Sequence, residues 1–394
     1  DDVDNYQRMV KHIREIFDIG YMELADVPFD KLSEMLRVVP DMIKLQSYRS
    51  VYGLVSKYMK DDRLRQVFSF QPLLVGGNPY QTSSIYMLIH WLERKWGVHF
   101  ARGGTTAIVK GMVRLLEEIG VRFHYNSPVT RIDVSDEGRA EAVVVEDGRR
   151  FEADLVVSNA DPSMIYKHAI DPKYRRKYSD RAVDRKRQSM SLFVAYFGTK
   201  KTYPDIAHHT IVLGPRYKGL LSDIFKKKVL ADDFSLYLHA PTRSDASVAP
   251  PGHEAFYVLS PVPNQKSGID WETQKEEYLD RILDKLDARY LPGLKENLVT
   301  KFAVDPRYFE DRLRSKDGAA FGIEPVLTQS AYFRYHNESD DIDGLFFVGA
   351  NTHPGAGVPG VLCSAKVLEH VLPELSESDR APIPASVAVR EAAE

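Results

Sequence analysis

Cysteine is almost missing from this chain. Cys363 is the one present, which excludes an internal disulfide framework and a cysteine-ligated zinc site and fits a reducing compartment. Charge of one sign is also not in excess. Lys and Arg total 53 against 56 Asp and Glu, a formal net charge of −3. A general nucleic-acid binder needs a basic surplus, so nucleic acid is not an expected partner. No apolar run approaches the ~18 residues of a transmembrane helix. No G-x-S-x-G is found, so the nucleophile-elbow hydrolases are excluded. His208, His209 and His353 invite a metal reading. No H-x-x-x-H or carboxylate spacing supports one, so they read as structural histidines and no metal is expected.

What is present is length and aromaticity. The 394 residues include 21 Tyr and 18 Phe, enough for a large core and suited to a large apolar ligand. The chain opens on Asp1, already inside an amphipathic pattern: Val3, Tyr6, Val10, Ile13 and Phe17 step by three or four. Such a start reads as a fragment. Residues 1–100 are expected to be mainly helical, with one helix over 41–60 and another over 83–96. A capped helix is expected after Arg102, Gly103 and Gly104, stopped at Gly120. Short strands should follow at Val121–Tyr125 and Val129–Val134, with a hairpin turning at Asp147–Gly148. Apolar strands at 192–197, 234–238 and 256–259 suggest a sheet covered on both faces. A charged amphipathic helix should span 271–290. Leu220 to Phe225, followed by Lys226, Lys227 and Lys228, suits an interfacial helix or an ordinary core helix. The tail from Pro373 reads as disordered.

The sharpest motif runs from Gly349 to Val361, with Gly355, Gly357 and Gly360 in a literal G-x-G-x-x-G. A dinucleotide fingerprint should follow its strand at once and lead to a second strand, and this one does neither. Its physics survives. Glycines admit close approach, and a helix start offers free N–H groups. The loop could hold a phosphate or the N1–C2=O edge of a flavin, or be a tight structural turn. Glu34 and Arg37 lie three apart on a predicted helix and share a face, which is either an exposed ion pair or a functional one.

Long strings in order across 5–371 resemble the bacterial-type phytoene desaturases, FAD-dependent flavoproteins of the amine-oxidase-like superfamily. They include Arg65–Phe70, Leu73–Pro79, Arg102–Thr105, Ser158–Asp161, His208–Thr210, Glu324–Ser330 and His353–Val361. The family usually opens with a strand, a G-x-G-x-x-G turn and a helix for the FAD pyrophosphate, so the resemblance implies a chain truncated past that segment. It also has Gly where Asn351 stands, and Asn tolerates positive φ.

The resemblance implies a mixed α/β (α+β) fold. A discontinuous, here incomplete, Rossmann-like FAD domain would be built from 101–162 and 336–373. A mixed-sheet substrate domain would span 163–335, a helical membrane-side portion 1–100, and a disordered tail 374–394. Val129, Asn159, Gly349, Ala350, Thr352, Gly357, Val358, Pro359, Gly360 and Val361 would contact FAD. Glu34 and Arg37 would be catalytic: Arg37 or the helix start after Gly360 stabilising reduced flavin, Glu34 as proton acceptor or ion-pair partner. The implied substrate is phytoene, desaturated toward lycopene or an intermediate by hydride transfer to flavin N5 and proton loss. The enzyme would sit in the cytoplasm on the inner membrane surface, with room for a homo-oligomer. Alternatives are another carotenoid desaturase or isomerase, an amine oxidase, or a non-catalytic lipid carrier as in Rab escort proteins.

Overall fold

Helices fill the first hundred residues because apolar side chains recur there at three- and four-residue spacing. The computed structural model describes residues 2–374; the tail expected over 374–394 lies outside them except for Glu374. The first helix, α1 (Asp2–Phe17), buries Met9, Ile13, Ile16 and Phe17. It packs against α3 (Val51–Tyr58) and α4 (Leu88–Trp96), whereas α2 (Leu32–Lys44) packs Met35 and Val38 with Phe29, Ala331 and Tyr332. The single helix expected over 41–60 is two. Gln46 takes φ 57°, which stops α2, and Ser50 Oγ accepts from the Gly53 N–H at 3.0 Å to start α3.

The helix α5 (Thr105–Glu118) follows two left-handed glycines, Gly103 and Gly104. Val121–Tyr125 forms no strand. Alternation alone did not suffice where nothing lies alongside to pair with. Strands β1 (Val129–Val134), β2 (Ala140–Val145) and β3 (Arg150–Glu152) make an antiparallel sheet, and β2–β3 turns at Gly148 as expected. Strand β4 (Val156–Ser158) leaves that sheet to pair in parallel with a strand nearly two hundred residues later.

A five-stranded sheet has the order β6-β7-β8-β5-β9: β5 (Ser191–Thr199), β6 (His209–Val212), β7 (Leu236–His239), β8 (Glu254–Val262) and β9 (Leu298–Val304). Every pair in it is antiparallel rather than mixed; β6, β7 and β8 follow one another as a meander, whereas crossover connections set β5 between β8 and β9. One face packs Phe193, Leu238 and Val258 on α6 (Trp271–Arg289), whose Tyr278, Ile282 and Leu286 are buried. The other face carries a continuous cross-strand row: His209, His239, Tyr257, Tyr196 and Phe302 sit directly opposite one another. Leu220 and Ile224 are buried in the core on that side, so the 220–225 segment is a core element. Strand β10 (Leu345–Phe347) pairs with β4 and leads through the glycine loop into α7 (Val358–Val371). No helix of the described residues is long and apolar enough to cross a membrane.

Candidate functional site

The start of the glycine loop is tied by one serine to the helix that follows it. Ser364, buried on α7, accepts at Oγ from the Gly349 N–H at 3.0 Å and shares a 2.7 Å hydrogen bond with Thr352 Oγ1. Thr352 Oγ1 also reaches the Gly349 carbonyl at 3.0 Å. Asn159, at the end of β4, donates through Nδ2 to the Val348 carbonyl at 2.9 Å. Gly349 (φ 115°) leaves no room for a side chain, since a Cβ there would meet Asn159 Nδ2 at 2.4 Å. Gly360 is needed likewise, with the Gly355 carbonyl 2.5 Å from its would-be Cβ. These two glycines serve the protein's own packing.

Gly357 differs. Its φ is 100°, and the nearest heavy atom to a Cβ there is Val75 Cγ1 at 3.6 Å. It opens on a cavity of about 650 Å³. One end of that cavity is His353, Pro354, Ala356, Gly357, Val358, Pro359 and Gly360, the start of α7. First-turn N–H groups of a helix lack intrahelical partners, so this end carries positive potential. The walls are apolar side chains from the helical portion, among them Met35, Val38, Met42, Val75, Ile85 and Trp96. The cavity suits a flat ring with an electron-rich edge at the glycine end and a greasy ligand beyond. A glycine-opened cradle, a helix start and an apolar chamber fit the ring half of a flavin.

Two side chains at the loop have roles that the sequence reading does not assign: it has His353 as a structural histidine and does not single out Arg334. His353 is half-buried and hydrogen-bonds through Nε2 to the Leu24 carbonyl at 2.8 Å. A carbonyl only accepts, so Nε2 carries the proton and Nδ1 is a lone pair. That Nδ1 is buried with no protein partner. Burial holds the imidazole down to about pKa 4, so it is neutral at physiological pH. Arg334 is buried beneath the loop, donating through Nη2 to the Ala350 carbonyl at 2.6 Å, with Nε and Nη1 unpartnered. Its charge supports the loop from below. Sequence pattern signals neither role; only the fold brings Leu24 and Arg334 to the loop. Glu93 is the carboxyl of the cavity wall, and burial raises its pKa.

The other expected residues fall into three places. Gly357, Val358, Pro359 and Gly360 line the cavity, and Val361 lies one residue further along α7. Gly349, Ala350 and Thr352 form the loop's buried base, with Asn159 against it. Val129 is apart, exposed at the start of β1. Other apolar residues are uncovered too: Ile108, Val109, Met112 and Leu115 of α5, and Val157 of β4, are 43–57% exposed. Glu34 and Arg37 do pair, at 3.0 Å, but on the surface of α2, with side chains 34% and 66% exposed. Neither lines the cavity, whereas Met35, Val38 and Met42 of the same helix do.

Asn351 does not take positive φ. It is buried, and its Oδ1 accepts from the Ile323 N–H at 2.8 Å, in the space a side chain at Gly322 would fill. The departure from Gly is thus a packing device. His353 does not join His208 and His209; those two meet His239 instead.

Comparisons with known proteins agree with this geometry. Residues 11–366 match the family described as flavin containing amine oxidoreductase. The phytoene desaturase (lycopene-forming) of Pseudescherichia vulneris is 48% identical over 374 residues, covering 95% of this chain and 76% of that protein. The neurosporene-forming phytoene desaturase of Rhodobacter capsulatus is 42% identical over 95% of this chain and 72% of that protein. Among solved structures, an oxidoreductase from Methanosarcina mazei superposes with a TM-score of 0.58 over 86% of this chain and 73% of that one, at 16% identity, which speaks to fold alone.

Proposed function

The chain belongs to the flavin containing amine oxidoreductase family, alongside its phytoene desaturases, and from that premise we propose that it is an FAD-dependent desaturase of phytoene. The observation that carries this reading is the apolar cavity of about 650 Å³ ending on the start of α7. When bound, FAD supplies the hydride acceptor for oxidation of a saturated C–C bond to a double bond.

The protein's part is positioning and dryness. The aliphatic and aromatic walls exclude water from the reacting carbons. The N–H groups at the start of α7 favour an electron-rich ring edge at Gly357–Gly360. His353 stands in the same wall with its neutral Nδ1 buried and unpartnered, and we assign it to accept the proton lost beside the hydride. Of the two groups considered for the flavin edge, the helix start is the one at the cavity. The Glu34–Arg37 pair enters as an ion pair on the outer face of α2, the helix whose inner face lines the cavity. The domain boundaries at about 100, 162 and 335 belong to this reading, with Val129 and Asn159 on the adenosine side.

Phytoene is a hydrocarbon and dissolves in bilayers. Leu36, Ile43, Trp96 and Val98 are 49–63% exposed beside wall residues of the cavity. We propose that this rim dips into the cytoplasmic face of the inner membrane, as peripheral rather than spanning attachment. Reconstituting the chain with FAD and phytoene-loaded liposomes and separating the pigments tests the reading. Conjugated products with a co-floating yellow protein are expected. Phytoene left unchanged while flavin is bound would sink it.

A further inference from the structure

The row across the five-stranded sheet explains why His209 and His239 stack: they are directly opposite on β6 and β7, with rings 5.3 Å apart and nearly parallel. It does not explain His208. Neighbouring residues of a regular strand point to opposite faces. Yet the rings of His208 and His209 lie 4.3 Å apart. The ladder ends at His209, and the chain there swings His208 onto the same face. Its Nε2 then lies 2.7 Å from Nε2 of His239. One ligand nitrogen from each of the three lies within 4.8 Å of the other two.

We propose that His208, His209 and His239 bind one divalent transition-metal ion of the zinc class. Three imidazoles with no carboxylate among them select a borderline ion such as Zn2+ over Mg2+ or Ca2+. The two Nε2 atoms in contact share one proton, and a metal ion takes that proton's place. Tetrahedral ligands at 2.0–2.1 Å stand about 3.3 Å apart, so the two rings part by roughly half an ångström. Two of the three outer nitrogens are already held, His208 Nδ1 by Ser244 Oγ at 2.6 Å and His209 Nδ1 by the Tyr237 hydroxyl at 2.6 Å, while His239 Nδ1 is buried without a partner. Such second contacts fix ring orientation in metal-ligating histidines. His239 is buried and His209 exposed, so the ion enters from solvent and keeps an open position there. Phe100 packs on both His208 and His239, at 4.8 and 5.6 Å between ring centres. It follows directly on Trp96–His99 of the cavity wall. The ion would therefore clip β6 to β7 and brace the wall through Phe100.

The test is Co2+ titration of the full chain, purified with a histidine-free tag and stripped with chelator. One equivalent should give a visible d–d band, abolished by one equivalent of Zn2+. The double variant H208A/H209A should lose at least a hundredfold in Co2+ affinity, and the surface variant His253→Ala should lose none. Near-ultraviolet circular dichroism confirms that the double variant is folded; should it not be, His209→Ala alone, at an exposed position, must still weaken binding tenfold. Absence of a band in the unaltered chain, or equal binding in the folded variants, overturns the proposal.

Discussion

His353 donates its Nε2 proton to the carbonyl of Leu24, 329 residues earlier in the chain, across 2.8 Å. That bond fixes the tautomer and leaves Nδ1 as a buried base in the wall that also holds the glycine turn. Replacing His353 with Gln keeps a donor toward Leu24 and removes the titrating ring. Turnover should fall about a hundredfold with FAD content unchanged. Glu93→Gln, removing the carboxyl of the same cavity, should stay within a few-fold. Pigment yield per bound flavin measures both; the opposite ranking would move the proton to Glu93.

Gly357 and Gly360 should separate binding from folding. Gly357→Ala places a methyl group at the cavity edge with φ at 100°, a backbone cost of about 1–2 kcal/mol. Flavin affinity should drop roughly tenfold or more in a folded protein. Gly360→Ala forces a methyl group onto the Gly355 carbonyl, and melting temperature should fall further than for Gly357→Ala. Fluorescence titration with FAD and thermal denaturation distinguish the two.

Asn351→Gly would restore the residue more usual at this position and should still destabilise. The Ile323 N–H loses its acceptor, and a buried unpaired donor costs about 1–3 kcal/mol. Urea denaturation reads the difference. An unchanged midpoint would mean that another acceptor reaches Ile323.

Stability should decline with acid between about pH 6.5 and 4. Unfolded histidine titrates near 6.5, whereas burial holds folded His353 and His239 down to about 4. In that window the unfolded chain binds more protons, so stability is full above it and is lost as pH falls through it. For His353, whose Nδ1 is buried without a partner, the loss reaches roughly 3 kcal/mol by pH 4. His239, buried beside His208 and His209, contributes in the same direction. His353→Gln should flatten the profile when melting temperature is followed against pH.

Arg37→Ala and Glu34→Gln should leave pigment yield per bound flavin within about twofold, because the pair is exposed and screened by water. A loss of tenfold or more at either residue would return a chemical role to the pair.

Much of this was legible in the residues. The turn at Gly148, three of the five strands of the large sheet, the helix over 271–289 and the glycine loop before α7 all follow from period, turn chemistry and strings, whereas β6 and β9 were not read. The misses have physical causes. In α1 the apolar pattern included Val3, which is 65% exposed, while Met9 and Ile16 face inward; a helix with apolar residues on several sides does not declare which side packs. Residues 121–125 alternate without a partner strand. Spacing also could not reveal His239 beside His208. That juxtaposition is made by register between strands thirty residues apart, and register is a tertiary fact.

The exposure of Ile108 and Met112 on α5 and of Val157 on β4 has a practical consequence. Parallel strands are ordinarily sheathed on both sides, and bare apolar side chains are adhesive. Preparations of this chain should crowd together as concentration rises. Mild surfactant should release them, and hydrophobic dyes should light up well before anything melts.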